Sequence, residues 1–139
     1  MDVAQRLARH LTYNWACAYL TPGEHVQQHN RRVMTGWKPL LWFTKGPYKG
    51  QWLYDVFKSE SNDKRFHGWG QSESGIADIV ERFTRPGDLI CDPFVGGGST
   101  AVVAVQLERR FVGIDIDPTA IETTKARLAG LPVALPCEH

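Results

Sequence analysis

The residues best suited to chemistry in this chain of 139 residues lie in one stretch, from Asp92 to Ala101. The stretch reads Asp-Pro-Phe-Val-Gly-Gly-Gly-Ser-Thr-Ala, so Gly96, Gly98 and Ala101 have the spacing G-x-G-x-x-A that is typical of nucleotide-binding turns. Asp115 follows Gly96 by 19 positions, where such folds place a carboxylate that binds ribose. The spacing alone leaves a second interpretation open, a glycine turn that serves only tight packing.

The carboxylate of Asp92 argues against a phosphate-containing ligand. It comes at the carboxyl end of a predicted strand, where it would repel a pyrophosphate docked on the loop amides. It suits a ligand that has an ammonium group and no phosphate, which is the charge pattern of S-adenosylmethionine. The glycines would let the backbone approach the methionyl part, and the helix that starts at Ser99 and Thr100 would offer amides. Asp115 would then accept hydrogen bonds from both ribose hydroxyls.

The elements around this loop predict a parallel β-α-β unit, the core of a doubly wound sheet. A short buried strand over Asp88–Cys91 leads into the loop, a helix follows from Ser99 to about Glu108, and a second strand covers Arg110–Asp115. Asp117 is expected to cap the next helix, with Pro118 at its first position and Gly130 just past its end. Upstream, the spacing of apolar residues predicts an amphipathic helix capped by Ser72 or Ser74, with Ile76, Ile79, Val80 and Phe83 on its apolar face.

The first part of the chain is less regular. The pattern predicts a helix with Val3, Leu7 and Leu11 on one stripe, and strands over Tyr13–Leu20 and Pro39–Thr44, the second of them buried. The remaining segments are predicted to be irregular: a polar loop from Glu24 to Gly36, a connection from Asp55 to Gly70, and the tail after Leu131.

Composition excludes several classes of protein. The net charge is only +1, so any contact with nucleic acid must come from a local patch. Cys17, Cys91 and Cys137 are widely separated, which indicates reduced thiols and neither a disulfide framework nor a zinc site. Neither a signal peptide nor a bilayer-spanning apolar stretch is recognisable, so a cytoplasmic location is expected. The five tryptophans are expected in the core, and no metal-ligand cluster is recognisable.

Two motifs give the sequence a family resemblance. Asp92-Pro93-Phe94 with the glycine loop resembles the first cofactor motif of the DNA amino-methyltransferases, which make N6-methyladenine or N4-methylcytosine, and Arg109–Asp115 resembles their second motif. The stretch Lys64–Glu81 resembles the segment that precedes the first motif in circularly permuted, β-class-like members. Trp37–Gly46 is similar to a late sheet strand of phage and prophage enzymes.

The resemblance implies an α/β fold: a partial doubly wound, Rossmann-like methyltransferase sheet in a single incomplete domain. Residues 1–63 would form the sheet edge and a target-recognition part, and residues 64–130 the cofactor-binding part. It also implies DNA as partner, a restriction-modification context and S-adenosylmethionine as cofactor. The implied cofactor-binding residues are Gln71, Ser72, Asp92, Phe94, Gly96, Gly98, Ser99, Thr100 and Asp115.

The family's catalytic loop, of the type D/N/S-P-P-Y/F/W, does not occur in this sequence, so no catalytic residue is assigned. In the permuted order that loop belongs upstream, together with two central strands of the sheet. The sequence therefore predicts a sheet with a gap and apolar faces without cover, which leaves three outcomes: a second chain fills the gap, the strands close up into an arrangement foreign to the family, or the chain is only marginally stable. A truncated or split methyltransferase gene product is the favoured interpretation. An inert remnant is the alternative, and a nicotinamide dinucleotide protein is a distant third because of Asp92.

A polar run between the first strands predicts contacts with DNA. Its side chains are of the types that bind phosphates and read purine edges, and the residues assigned to nucleic acid are Gln28, Asn30, Arg31 and Arg32. A solvated loop at a sheet edge is an equally good interpretation of the same residues.

Overall fold

A computed structural model describes residues 3–21, 26–59 and 72–131 of the chain. By their contacts the residues fall into two compact units, the first ending at residue 61 and the second starting at residue 62. Trp69, Gln71 and Cys137 lie outside the described ranges, so the predictions made for them have no structural counterpart.

The first unit is organised around one long strand. Its elements are α1 (Val3–Leu7), β1 (Thr12–Leu20), β2 (Val26–Gln28), β3 (Val33–Thr35), β4 (Trp37–Thr44) and β5 (Val56–Lys58). β1 pairs antiparallel with β4, which places Trp15 opposite Trp42, and parallel with β5, which places Tyr19 opposite Phe57. β2 and β3 form a separate antiparallel hairpin around a 3-10 turn over His29–Arg31.

The two faces of the β4-β1-β5 sheet differ in burial. Cys17, Tyr19 and Phe57 share one face and are buried. Burial, and secondarily the negative charge of Asp55, raises the pKa of the Cys17 thiol above its ordinary value. On the opposite face the apolar side chains are largely exposed, and they include Tyr13, Trp37, Leu41 and Val56.

The second unit contains the predicted parallel β-α-β arrangement, which is confirmed. Its elements are α2 (Glu73–Phe83), β6 (Leu89–Asp92), α3 (Ser99–Gln106), β7 (Arg110–Gly113) and α4 (Pro118–Ala129). β6 and β7 pair in parallel from Leu89 opposite Arg110 to Asp92 opposite Gly113. α3 supplies most of the core, because its four consecutive residues Ala101–Ala104 are buried. Within the described ranges, no helix is long and apolar enough to cross a membrane.

The parallel pair in this unit is covered on one face only. Leu89, Cys91 and Val112 share the other face by register, and Ile114 continues it; all four are exposed, Leu89 by 55% and Ile114 by 54%. Within the described residues β6 also has a partner on one side only. Parallel sheets are normally covered on both faces, so this face and edge are those of an incomplete sheet.

Two predictions of irregular structure are wrong. The predicted loop over Glu24–Gly36 is largely the β2-β3 hairpin, which the sequence hides because strands of three residues are too short to show alternation. Arg32 makes the tight reversal in a left-handed conformation with φ 52°, which is uncommon for arginine. Within the predicted connection from Asp55 to Gly70, Val56–Lys58 form a strand that pairs with β1.

The predictions of burial are also wrong in part. The strands predicted over Pro39–Thr44 and Asp88–Cys91 exist, as β4 and β6, but neither is buried. The tryptophans are not generally in the core: Trp15 is 56% exposed, Trp37 53% and Trp52 fully exposed. The composition could not show this, because an apolar residue in a sequence is buried only where a second layer covers it. The first helix also ends at Leu7, so the predicted stripe does not extend to Leu11.

A buried arginine joins the end of α2 to the turn before β7. Arg109 donates three hydrogen bonds, from Nε to Thr84 Oγ1 at 3.0 Å, from Nη2 to the Thr84 carbonyl at 2.8 Å, and from Nη1 to the Leu107 carbonyl at 2.6 Å. Its neighbour Arg110 is exposed and donates from Nε to the Gly87 carbonyl at 3.0 Å.

We expect Arg109→Met to lower the free energy of unfolding by about 2–3 kcal/mol, because it removes hydrogen bonds to a charged group and leaves the half-buried carbonyls of Thr84 and Leu107 without this donor. Arg110→Met is the matched control and should cost less than about 1 kcal/mol, as a surface change does. Urea denaturation measures both variants. Equal losses would show that Arg109 does not join the elements as described.

Candidate functional site

The glycine loop between β6 and α3 needs glycine at specific positions. Gly96 and Gly98 have φ 50° and 77°, the left-handed region that residues with a Cβ rarely adopt. Gly98 is the N-cap residue of α3, and a Cβ there would lie 2.7 Å from Oγ1 of Thr124 on α4. Its conformation and its contact with α4 therefore both require the absence of a side chain.

The carboxylate of Asp115 holds this loop to the end of β7. Its Oδ2 accepts a hydrogen bond from the Gly96 amide at 2.8 Å, and its Oδ1 accepts one from the Asp117 amide at 3.0 Å. The 19-residue spacing thus has a structural cause, because it brings the side chain directly under the loop. A carboxylate has about four acceptor positions, so one such side chain can accept several hydrogen bonds. The ligand-binding role of Asp115 stays a prediction.

The carbonyl side of the loop is held by α4. Thr124 Oγ1 donates to the Gly96 carbonyl at 3.3 Å, and Arg127 donates from Nη1 to the Gly97 carbonyl and from Nη2 to the Glu73 carboxylate on α2. The Arg127 side chain is only 9% exposed, so these are strong, poorly solvated contacts. The amide of Gly97 shares a trans peptide unit with the Gly96 carbonyl and so points away from α4.

Asp92 and Asp115 lie where the parallel strands β6 and β7 end, at their carboxyl ends. Asp92 ends β6, is half-buried, and its Oδ1 accepts a hydrogen bond from the Phe94 amide at 3.0 Å. Register places Asp92 opposite Gly113, two residues before Asp115. Two carboxylates beside one glycine loop favour a ligand with positive charge and hydroxyl donors over an anionic one.

The other predicted cofactor-binding residues are placed as follows. Ser72 is buried at the N-cap position of α2, but its hydroxyl lies 2.7 Å from the Ser74 hydroxyl and makes no capping bond. Ser99 and Thr100 begin α3 and are half-buried. Phe94 is 85% exposed at the loop. The predicted cap of α4 is confirmed, because Asp117 Oδ1 accepts from the Thr119 amide at 2.9 Å.

One residue that sequence reasoning missed is Ile116. It follows Asp115 directly and is fully exposed, whereas an isoleucine after a strand normally continues the buried pattern. The strand ends at Gly113, so Ile114 and Ile116 both become exposed apolar surface on either side of the carboxylate. No local signal indicates this, because the apolar pattern predicts a strand as far as Asp115.

A groove of about 580 Å³ lies elsewhere in the second unit. It is bounded by α2, α3 and α4, and its lining includes Glu73, Val102, Gln106 and Arg127. Among the described residues of its lining there is no glycine of the loop, although Arg127 and Val102 of the lining are hydrogen-bonded to Gly97 and Gly98. The groove is therefore a feature separate from the two carboxylates.

The residues predicted to contact DNA lie together in the first unit. Gln28 ends β2, Asn30 and Arg31 lie in the 3-10 turn, and Arg32 begins the return to β3. All four are exposed at the tip of the hairpin. Their role in contacting DNA stays a prediction.

Comparison with known proteins identifies relatives for most of the chain. A family model described as DNA methylase matches residues 47–126. The Type II methyltransferase M2.DpnII of Streptococcus pneumoniae is 34% identical over 110 residues, which cover 64% of this chain and 41% of that protein. The chain spans about two fifths of the length of the curated relatives it matches.

Solved structures share the fold. The structure of the M1.HpyAVI–SAM complex has a TM-score of 0.72 and 25% identity, over 91% of this chain and 67% of that one. The cytosine-N4-specific PvuII DNA methyltransferase has a TM-score of 0.73 and 17% identity, over 96% of this chain and 57% of that one. The predicted fold class is confirmed: an α/β chain with part of the Rossmann-like sheet of these methyltransferases.

Two glycines with similar positive φ angles allow the cost of backbone strain to be measured separately from the cost of steric crowding. Gly87 has φ 85° and a Cβ added there would have nothing within 4 Å, whereas a Cβ on Gly98 would lie against Thr124. We expect Gly87→Ala to lower the free energy of unfolding by about 1–2 kcal/mol from strain alone, and Gly98→Ala by about 2–4 kcal/mol. Urea denaturation measures both.

The double variant Gly98→Ala/Thr124→Ala identifies the crowded pair. Thr124→Ala removes the two closest atoms, so the double variant should be more stable than the sum of the single effects predicts. Strict additivity, or equal losses for the two glycine variants, would contradict a close approach of the loop to α4.

Proposed function

The chain belongs to the DNA methylase family of N6-adenine and N4-cytosine methyltransferases, and from this we propose that it is the S-adenosylmethionine-binding portion of such an enzyme. The observation that carries the proposal is the glycine loop held between Asp92 and Asp115 at one sheet edge. The family match covers this loop completely. One protein of the same fold has been solved as a complex with SAM, which supports the choice of cofactor.

The residues present fit this cofactor. The two carboxylates suit a ligand that carries an ammonium group, a sulfonium and ribose hydroxyls, and they disfavour a pyrophosphate. Phe94 precedes the glycines in sequence and Ile116 follows Asp115; both are exposed apolar side chains of a kind that suits the flat adenine ring. When bound, the cofactor supplies an activated methyl group for transfer to a base amine.

In the proposal each residue of the chain has a binding role. Asp115 accepts hydrogen bonds from the ribose while it keeps Gly96 in place. Asp92 faces the positive charges, and the outward amides at Gly97, Ser99 and Thr100 serve the methionyl end. Ser72, and Gln71 by resemblance, would line the methionine side. The second unit is then the cofactor-binding part, and the first unit the sheet edge with the target-recognition hairpin.

The uncovered surfaces support a requirement for further polypeptide. The exposed face with Leu89, Cys91 and Val112, the open edge of β6, and the exposed face of the first sheet with Trp37 and Leu41 all lack a second layer among the described residues. A family member carries a D/N/S-P-P-Y/F/W loop, which this sequence lacks. In the permuted order that we propose, as in the phage-type enzymes, that loop and two central strands precede this portion.

Two arrangements satisfy this requirement. Either the chain is the C-terminal portion of a longer or split enzyme whose other part supplies the loop, or it is an inert remnant. The first gives DNA methylation at an adenine N6 or a cytosine N4, in a restriction-modification context like that of the Type II relative. The extent of the exposed apolar surface favours the first, because a remnant without a partner would be prone to aggregation.

Calorimetric titration with S-adenosylhomocysteine, with NAD as control ligand, tests the proposed cofactor. We expect binding of the former alone, abolished by Asp92→Ala and weakened about 10- to 100-fold by Asp115→Asn, since charge-assisted hydrogen bonds contribute roughly 1.5–3 kcal/mol. Asp88→Asn is the control, because Asp88 is an exposed aspartate whose Oδ2 accepts from the Arg85 amide at 2.8 Å in the preceding turn.

Either failure is informative. If Asp92→Ala binds as tightly as the parent, the loop is wrongly assigned. If a folded parent chain does not bind S-adenosylhomocysteine, the pocket needs the missing strands, and the remnant interpretation leads.

Alkylation of cysteines tests the uncovered sheet face. In a Cys137→Ser chain, Cys91 is exposed on that face, whereas Cys17 is buried with a raised pKa. A raised pKa leaves less thiolate at neutral pH, so Cys17 should react only as the pH rises well above neutrality. Mass spectrometry with iodoacetamide at about pH 7.5 should show Cys91 reacting at least about 10-fold faster than Cys17.

Adding the polypeptide that carries the catalytic loop should slow the reaction of Cys91 and leave Cys17 unchanged. S-adenosylhomocysteine alone serves as the control for shielding by ligand at the neighbouring Asp92. A slow reaction of Cys91 in the isolated chain would contradict an uncovered face.

A further inference from the structure

The near-neutral net charge of the chain hides a division between its two units. Through residue 61 the sequence contains eight basic and four acidic residues, whereas from residue 62 it contains eight basic and eleven acidic ones. Asp55 is the one acidic residue among the described residues of the first unit. Its Oδ2 accepts a hydrogen bond from Trp15 Nε1 at 3.0 Å. The basic side chains there are Arg6, Arg9, Arg31, Arg32, Lys38, Lys45, Lys49 and Lys58.

The first unit also has an aromatic groove of about 510 Å³. Its lining includes Trp15, Trp42, Tyr48 and Trp52, with the amide side chains of Asn14 and Gln51. A second cavity of about 330 Å³ shares Trp15 and Trp42 and continues to Tyr54 and Asp55. All of these residues belong to the first unit, so the groove exists without any contribution from the glycine loop.

The floor of the groove is held in place. Trp42 and Tyr48 pack edge to face with ring centroids 4.5 Å apart. The Tyr48 ring lies directly against Gly50, where a Cβ would collide with the tyrosine hydroxyl. Trp15 is oriented by the hydrogen bond that it donates to Asp55, and Asp55 is the one acidic residue described in this unit. A positioned aromatic floor of this kind stacks a flat ligand without first having to become ordered.

The rim, in contrast, is exposed. Trp52 is fully exposed and Tyr54 is 86% exposed. Lys49 lies in sequence between Tyr48 and Gly50, both at the groove, and Lys45 follows β4 directly. The chain that forms the groove therefore also contains Lys49, within a unit that has an excess of basic residues.

We infer that this aromatic groove binds single-stranded DNA, with bases stacked on Trp52 and the floor aromatics and phosphates paired with the surrounding lysines. Aromatic platforms in a basic groove are the general means of holding unpaired strands, because every base has a face that stacks. The inference rests on the proposed function, which makes DNA the partner. Enzymes that act on a base amine either use single-stranded DNA or extrude the target nucleotide from the duplex, and such a groove would hold unpaired nucleotides.

A polypeptide is the less favoured occupant. The opposite face of the same sheet, with Tyr13, Trp37 and Leu41, is apolar and open, as expected of a surface that another protein layer covers. The groove differs from it in its amide side chains, and the excess of positive charge on the unit complements a phosphate backbone.

Fluorescence anisotropy of a fluorescein-labelled oligothymidine of about twenty nucleotides, titrated with the full chain in the absence of cofactor, tests the inference. Trp52→Ala should weaken binding roughly 5- to 100-fold, the effect of losing one base–aromatic stack. Trp37→Ala is the matched control, an exposed tryptophan on the opposite face, and should change binding less than about 2-fold. Lys49→Ala should reduce by about 0.7 the steepness with which the logarithm of the association constant falls against the logarithm of the salt concentration.

Several results would overturn the inference: no binding of the oligothymidine, equal effects of the two tryptophan variants, or equally strong competition by a duplex of the same length. Self-association that Trp52→Ala abolishes, without oligothymidine binding, would identify the groove as a protein-docking surface instead. Titration of the same preparations with S-adenosylhomocysteine distinguishes failure of this inference from failure of the proposed function. The lining of the aromatic groove includes no residue of the glycine loop, so cofactor binding can persist when oligothymidine binding fails.

Discussion

The second unit depends on the attachment of its glycine loop through both its amides and its carbonyls. Asp115 accepts from the Gly96 amide on one side, and Thr124 and Arg127 donate to the Gly96 and Gly97 carbonyls on the other. A loop of glycines has more conformational freedom than any other sequence, so it forms a site only if such contacts restrict it. The strand, the two helices and their spacing can be understood as the scaffold for these bonds.

This attachment is compatible with the ligand-binding role proposed for Asp115. Asp115 needs its Gly96 bond whether or not a ligand is bound, so its position is set before binding and little ordering remains to be done. Arg127 extends the same arrangement to α2 through Glu73, which links the segment beginning at Ser72 to the loop. Hydrogen bonds within the second unit thus connect the start of α2 to the glycine loop, the two segments that resemble the two ends of a cofactor site.

The second unit is predictable from sequence because its local signals agree with its tertiary contacts. Asp117 and Pro118 begin a helix by capping alone, and the glycine spacing needs only a strand before it and a helix after it. The first unit lacks such agreement. The β2-β3 hairpin has strands too short for periodicity, and Trp52 carries no local mark that distinguishes a rim residue from a core residue. The burial expected for Leu89 and Trp37 fails for a different reason, since both belong to faces whose cover is not part of the described residues.

These exposed faces and the exposed groove need different explanations, and their chemistry separates them. Burying an apolar sheet face, such as that around Leu41 or Val112, under other apolar side chains is favourable and non-directional. Such a face therefore suits a permanent protein layer. An aromatic groove in a unit with eight basic and four acidic residues gains instead from a partner with negative charge and flat rings, which a folded protein layer rarely offers. The acidic second unit would repel the same strand except where a bound cation compensates. The division of charge therefore agrees with the proposed roles, nucleic acid for the first unit and the positively charged cofactor for the second, because each proposed ligand is opposite in sign to its unit.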